Sequence, residues 1–140
     1  MDVVAMSAQS GMGQGVEDSV MSVWSMPSGA QVQAHESFTH QFAGTGIEIH
    51  GTEGSITARG VMTQQPVGEV TLVTASGQEP VSYSQHNLYE RAVQLFADAV
   101  AGRGRAAADG RDGVASLAVA QAVADAAITG RRTAVDYGGL

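Results

Sequence analysis

Four histidines, His35, His40, His50 and His86, stand near aspartates and glutamates in this 140-residue chain, and imidazole beside carboxylate is common raw material for a divalent-metal site. None of them falls in H-E-x-x-H or another tight ligand pair. In a strand, His35 and Glu36 point to opposite faces, so His35, like His50, reads as a solvent-facing strand residue rather than a ligand. The serines among the apolar residues of the first strands have no adjacent His/Asp order that supports a triad, and no nucleophile is assigned. All seven basic residues are arginines and there is no cysteine. Schiff-base chemistry, a P-loop lysine, a thiol nucleophile and a thiolate metal site are thereby excluded. The metal assignment is none, and the catalytic assignment within this chain is none.

Glycine offers a second kind of chemistry. The stretch IEIHGTEGSITA, Ile47 to Ala58, centres on Gly51-Thr52-Glu53-Gly54. A phosphate-cradling loop needs its glycines to open a helix, whose unpaired amides hold the anion. Here Ser55-Ile56-Thr57-Ala58 follows, β-branched and alternating, so the glycines read as the turn of a β-hairpin. A dinucleotide fingerprint, G-x-G-x-x-G, is left incomplete: Gly11/Gly13 is followed at the third position by Val16, Gly44/Gly46 by Ile49, and Gly102/Gly104 by Ala107. No cofactor is expected to bind this chain alone.

The bulk composition narrows the partners. A net charge of −7 lacks the positive field that a phosphate backbone requires, so nucleic acid is not expected. No run approaches 18 uninterrupted apolar residues and the first residues lack a basic n-region, so no membrane span or signal peptide is read and a cytoplasmic location is expected. The length suits a single domain over residues 1–140.

These residues must be positioned by strands first and helices second. From Val3 to about Ala75 the pattern has period two, and from about Gln85 to Gly130 a period near 3.6. VMSVWSM, Val20 to Met26, sets Val20, Trp24 and Met26 on one face and Met21 and Val23 on the other, so both faces read as buried. AQVQAHESF has one wet face, with Glu36 interrupting its dry side; Pro27-Ser28-Gly29 is the turn between these two strands. EVTLVTA, Glu69 to Ala75, is a further strand. HNLYERAVQLFADAVAG carries Tyr89, Val93, Phe96 and Val100 at i, i+4, i+7 and i+11, with Gly102 as its stop. DGVASLAVAQAVADAAITG reads as a second helix, capped by Asp112 and ended by Gly130. The expected fold class is α+β: an open, mainly antiparallel β-sheet with two α-helices packed on one face. Apolar residues on both faces of the central strand call for a cover on the second face, and a homo-oligomer through the open sheet face is the simplest closed solution. Tyr89 and Phe96 at helical spacing are more often core than ligand contacts, but Tyr89 lies in a first helical turn, where its ring can reach past the sheet edge and its hydroxyl needs a partner, and with His86 and Phe42 it forms the substrate-binding candidates.

The ordered series VEDSV, an alternating strand with Ser37-Phe38, IEIHGTEGSI, LYERAVQLFADAVAG and DGVASLAVAQAVADAAITGR resembles the C-terminal domain of the Gfo/Idh/MocA oxidoreductases, from about Val3 to Tyr137. The resemblance implies a two-domain enzyme in which an N-terminal Rossmann domain binds NAD or NADP and the sheet domain covers a sugar, polyol or related small-molecule substrate. It also implies that the glycine loop is a sheet hairpin, that the assembly is homo-oligomeric, and that Tyr89 lines the substrate pocket. The family's lysine and Asp-x-x-x-His pair have no counterpart here: no aspartate has His four residues on. The chain is therefore expected to be the substrate-covering and oligomerisation domain of a longer NAD(P)-dependent dehydrogenase, inactive alone. The alternative is a stand-alone, non-catalytic binding or scaffold protein with the same sheet.

Overall fold

A computed structural model describes residues 1–61 and 63–139. In chain order the elements are β1 (Asp2–Ala8), β2 (Ser19–Ser25), β3 (Gln31–Ser37), β4 (Gly46–His50), β5 (Gly54–Arg59), β6 (Glu69–Thr74), β7 (Gly77–Pro80), α1 (Leu88–Val100), α2 (Gly110–Thr129) and β8 (Thr133–Ala134). The fold is α+β with every strand pair antiparallel, as the sequence implies, and the strands divide into two sheets of four, β3-β2-β1-β8 and β4-β5-β6-β7. Periodicity shows that a segment is a strand but not which sheet it joins. The polar, glycine-containing run from Phe38 to Thr45 makes no ladder, and the division falls there. The chain forms two compact units, residues 1–41 with 108–140, and residues 42–107.

In the first unit, register places Val3, Ala5 and Ser7 of β1 beside Trp24, Ser22 and Val20 of β2 on one face. Helix α2 lies on that face along β1. Its Ala118, Ala122 and Ala126 recur every four residues and are buried with Val3, Ala5 and Val135 as the core. A stripe of methyl groups lets a helix backbone approach a strand closely, which is why this helix can be so alanine-rich and still hold a layer. Its N-cap is Asp109, not Asp112. Asp109 Oδ1 accepts from the amides of Arg111 (2.8 Å) and Asp112 (3.2 Å), while Asp112 Oδ2 accepts from the Asp109 amide (2.9 Å). The two aspartates thus form a reciprocal capping box, and the cap moves three residues toward the N-terminus. Gly130 closes the helix as expected. The Pro27-Ser28-Gly29 turn closes between Met26 and Ala30. On the opposite face of this sheet, Val4, Met6, Met21 and Val23 are exposed on the single chain.

In the second unit, β4 and β5 form the hairpin expected of IEIHGTEGSI, closed by the Gly51 amide on the Gly54 carbonyl (2.9 Å). A side chain at Gly54 would stand 2.6 Å from the Val73 carbonyl oxygen of the neighbouring strand, so glycine is needed for close pairing with β6. Ile47, Ile49 and Ile56 share one face with Leu72, and the three isoleucines remain exposed. Asn87 caps α1 through the amides of Tyr89 and Glu90. Tyr89, Val93, Phe96 and Val100 fall on one stripe, as their spacing predicts, yet the stripe is exposed. The structure thus lays one helix, α2, across its sheet and leaves the apolar side of the other uncovered.

Candidate functional site

The three substrate candidates all belong to the second unit. His86 and Tyr89 flank the capping Asn87 at the entry to α1. The turn is held by the Asn87 Oδ1 bonds and by a contact between His86 Nδ1 and the Ser84 carbonyl (3.3 Å). The approach to this turn is pinned farther back, where the Tyr83 hydroxyl donates to the Gly68 carbonyl. Tyr89 is 61 % exposed, so its phenol is free to meet a ligand from solvent. Phe42 is 94 % exposed at the start of the unit. His86 and Tyr89 thus share one helix entry by their nearness in sequence, and Phe42 stands in water.

The first glycine loop is already filled. Between β1 and β2, the loop carrying Gly11, Gly13 and Gly15 wraps around Asp18, which is buried. The Asp18 carboxylate accepts from the Ser10 amide (2.9 Å), the Ser10 hydroxyl (2.8 Å) and the Gly13 amide (3.4 Å). The Ser10 hydroxyl and then its amide hold the carboxyl below the usual carboxylate range, against the opposing cost of burial. A Cβ on Gly13 would stand 2.2 Å from the Val16 carbonyl oxygen, so the loop closes only around glycine. An internal carboxylate occupies the amides that an anion would use. Both helix N-termini are likewise capped by their own side chains, Asn87 and the Asp109–Asp112 pair. The Tyr89 and Glu90 amides of one helix entry and the Arg111 and Asp112 amides of the other are thus engaged by side chains of this chain.

Sequence reasoning missed one constellation. In the β4–β5 hairpin the register pairs His50 with Ser55, and Glu48 lies two residues from His50 on the same face. His50 Nδ1 stands 2.9 Å from Ser55 Oγ and its Nε2 3.5 Å from Glu48 Oε2. Hairpin register was the signal that could have found it, because cross-strand neighbours follow once the turn is placed. The group lies on the solvated side of a sheet, with His50 and Glu48 side chains 65 % and 53 % exposed. The expected solvent-facing character of His50 holds, as does that of His35, which is exposed and packs edge-on against His40 at 5.2 Å.

The first unit contributes a groove of about 410 Å³ beside α2, lined by Val20, Trp24, Val119, Val123 and Ile128 with Glu17 and Glu36 among its polar residues. Glu36, which interrupts the dry side of its strand in sequence, pairs across from Val20 on the helix-bearing face. The groove is the part of that face which α2, seated on β1, does not cover. Among the described residues no group of three or more His, Asp or Glu is poised to hold a metal, and no helix is long and apolar enough to cross a membrane.

Comparison with known proteins places this geometry. The model of the oxidoreductase family C-terminal alpha/beta domain (Gfo/Idh/MocA) matches residues 2–135. A 1,5-anhydro-D-fructose reductase of Ensifer adhaerens is 48 % identical over 138 residues, which are 98 % of this chain and 41 % of that protein. The chain therefore spans about two-fifths of that relative's length. In three dimensions it is similar to aldose-aldose oxidoreductase from Caulobacter crescentus complexed with glycerol, with a TM-score of 0.83 at 18 % identity over 94 % of this chain and 40 % of that one. Levoglucosan dehydrogenase in complex with NADH and L-sorbose gives 0.81 at 20 % identity, covering 96 % and 44 %. An oxidoreductase from Agrobacterium radiobacter in complex with NAD+, L-tartaric acid and magnesium gives 0.76 at 20 % identity, covering 99 % and 43 %.

Proposed function

The chain belongs to the Gfo/Idh/MocA oxidoreductase family as its C-terminal alpha/beta domain, and from that premise we propose that it serves an NAD(P)-dependent dehydrogenase or reductase acting on a sugar, polyol or related substrate. The observation that carries the reading is the 48 % identity to a sugar reductase over nearly the whole chain. In this reading the domain supplies two things: substrate contacts from the turn into α1, where His86 and Tyr89 sit with Phe42 on the same unit, and an oligomer interface from the open face of the first sheet. The exposed Val4, Met6, Met21 and Val23 support the second role, because a contiguous apolar sheet face in water favours a partner surface. A two-fold contact between copies closes it with one self-complementary patch. In this reading the chemistry of hydride transfer and the cofactor site belong to the rest of the enzyme, and the Asp18 carboxylate seated in the loop carrying Gly11, Gly13 and Gly15 supports it.

The test places this chain in the position of the matched segment of the Ensifer adhaerens reductase and follows nicotinamide oxidation with a panel of sugars. Sugar-dependent turnover by the exchanged protein, lost in the chain alone, is the expected result. Tyr89→Phe in that protein should lower kcat/KM by roughly tenfold, the scale of one lost hydrogen bond to substrate. An unchanged kcat/KM removes Tyr89 from the pocket, and absence of turnover with every sugar overturns the catalytic reading. Met21→Asp should convert an oligomer of the chain to monomer in sedimentation; a wild-type chain that is already monomeric at tens of micromolar, roughly ten times a micromolar Kd, rejects the interface.

A further inference from the structure

We propose that the apolar stripe of α1, formed by Tyr89, Val93, Phe96 and Val100, is a docking surface for the domain that the reductase relatives carry outside the matched segment. The proposal rests on the reading above, that this chain acts as one domain of such an enzyme. The four side chains are 61 %, 68 %, 64 % and 74 % exposed. A helix of 13 residues is marginal in water unless tertiary packing covers its apolar side. Its own unit gives little cover, since no described residue between 42 and 107 is fully buried. The polar side of the helix, by contrast, is already engaged: Asp98 Oδ1 accepts from Gln94 (3.2 Å) and from Arg103 (2.8 Å). One side of α1 is finished and the other awaits a partner.

The size of the stripe decides what that partner is. Two aromatic rings and two valines along a single row offer roughly 400 Å² of contact. Stable association of free molecules takes about 800 Å² from each side, so the stripe is too small to hold a second copy by itself. A domain on the same polypeptide faces the stripe at an effective concentration near millimolar, where a small apolar contact suffices. More than half of the Ensifer adhaerens reductase lies beyond the 41 % matched here, and that part is the occupant the stripe fits.

Hydrogen exchange of the α1 amides tests this in two proteins, the chain by itself and the exchanged reductase described above. Exchange in α1 should be fast in the chain and slower on the order of tenfold or more in the exchanged protein. Phe96→Asp should restore fast exchange in the exchanged protein and leave the isolated chain unchanged, while Gln94→Glu on the polar side keeps the protection. If Phe96→Asp prevents folding, Phe96→Ala gives the same comparison with a smaller perturbation. Equal exchange rates in both proteins overturn the proposal, and so does self-association of the isolated chain that Phe96→Asp abolishes, which makes a second copy the occupant. Protection is read without turnover, so slow exchange in a protein that reduces no sugar rejects the catalytic reading and leaves the docking surface standing.

Discussion

The two units of this chain hold the same kinds of element and pack them differently. Each is a four-stranded antiparallel sheet, and each includes one helix. In the first, α2 presents Ala118, Ala122 and Ala126 to β1 and a core forms around Val3. In the second, α1 carries the bulkier Tyr89, Val93, Phe96 and Val100, and these remain in water, as do Ile47, Ile49 and Ile56 of its sheet. Strand pairing satisfies the backbone but does not by itself remove apolar surface from water; a second layer does that. The first unit supplies its own second layer. The second unit leaves its apolar surface uncovered, and the proposed docking on α1 starts from that difference.

The sharpest way to break this contrast is to place the same charge in both helices. Ala126 is fully buried against the sheet, so Ala126→Asp puts an unpaired carboxylate into the core and should cost about 3 kcal/mol or more. Val93→Asp on the exposed stripe of α1 should change the stability of the isolated chain by no more than about 0.5 kcal/mol. Urea denaturation followed by circular dichroism reads both. Comparable losses at the two positions would mean that α1 is packed in solution and the contrast is lost.

A second experiment asks whether the first unit's cohesion extends to its glycine loop. Asp18 has its carboxyl held below the usual range by the Ser10 hydroxyl and amide. A carboxylate whose folded pKa is depressed contributes stability above its unfolded value, near 3.9, and that contribution fades as pH falls through the folded value. The wild-type loop should therefore open in acid, below about pH 4. Asp18→Asn should make the loop looser at neutral pH and flatten this acid dependence. Amide exchange at Ser10 and Gly13 as a function of pH is the measurement, and an identical pH profile in the variant would remove Asp18 from the loop's support.

Much of the first unit is legible in its amino-acid sequence. Alternation along VMSVWSM and AQVQAHESF, the Pro27-Ser28-Gly29 turn and the Gly130 stop each reflect a local rule, and each appears where the residues indicate. The β4–β5 hairpin is legible for the same reason. What escapes such rules is non-local: the division of the strands into two sheets, and the failure of an amphipathic helix to find its cover. Amphipathicity says that a helix has a side to bury but not whether the burying partner lies in the same chain. The cap of α2 is ambiguous in sequence because Asp109 and Asp112 are both good caps and form one box together. As for the site, His86 and Tyr89 are near neighbours in sequence at one helix entry, whereas the meeting of Glu48, His50 and Ser55 depends on register.

Helix caps sharpen the comparison at the level of about 1 kcal/mol. Asp109→Ala removes a cap from a helix that holds the core, so about 1 kcal/mol should be lost from the global unfolding transition of the first unit. Asn87→Ala removes an equivalent cap from α1, and there the loss should be local: reduced helicity and faster amide exchange at Tyr89 and Glu90, with the global transition unmoved. A shift of equal size in both transitions would show that the two helices share one cooperative unit.

The smallest effect is expected at the Glu48–His50–Ser55 cluster. Its distances have the form of a proton relay, 2.9 Å from imidazole to hydroxyl and 3.5 Å from imidazole to carboxylate. Acyl transfer needs more than a relay: it needs amide donors aimed at a developing oxyanion and a site that excludes water, and these contribute much of the rate where they exist. This cluster lies on the solvated side of a sheet, with the histidine side chain 65 % exposed. Cross-strand pairs of this kind contribute roughly 0.2–1 kcal/mol, toward the low end when water competes for every hydrogen bond. Ser55→Ala should therefore shift stability by about 0.5 kcal/mol or less and leave the slow release of p-nitrophenol from p-nitrophenyl acetate at the wild-type rate. A burst of p-nitrophenol from the wild-type chain that Ser55→Ala abolishes would make the second unit a catalytic surface in its own right, contrary to its reading as a face completed by another domain.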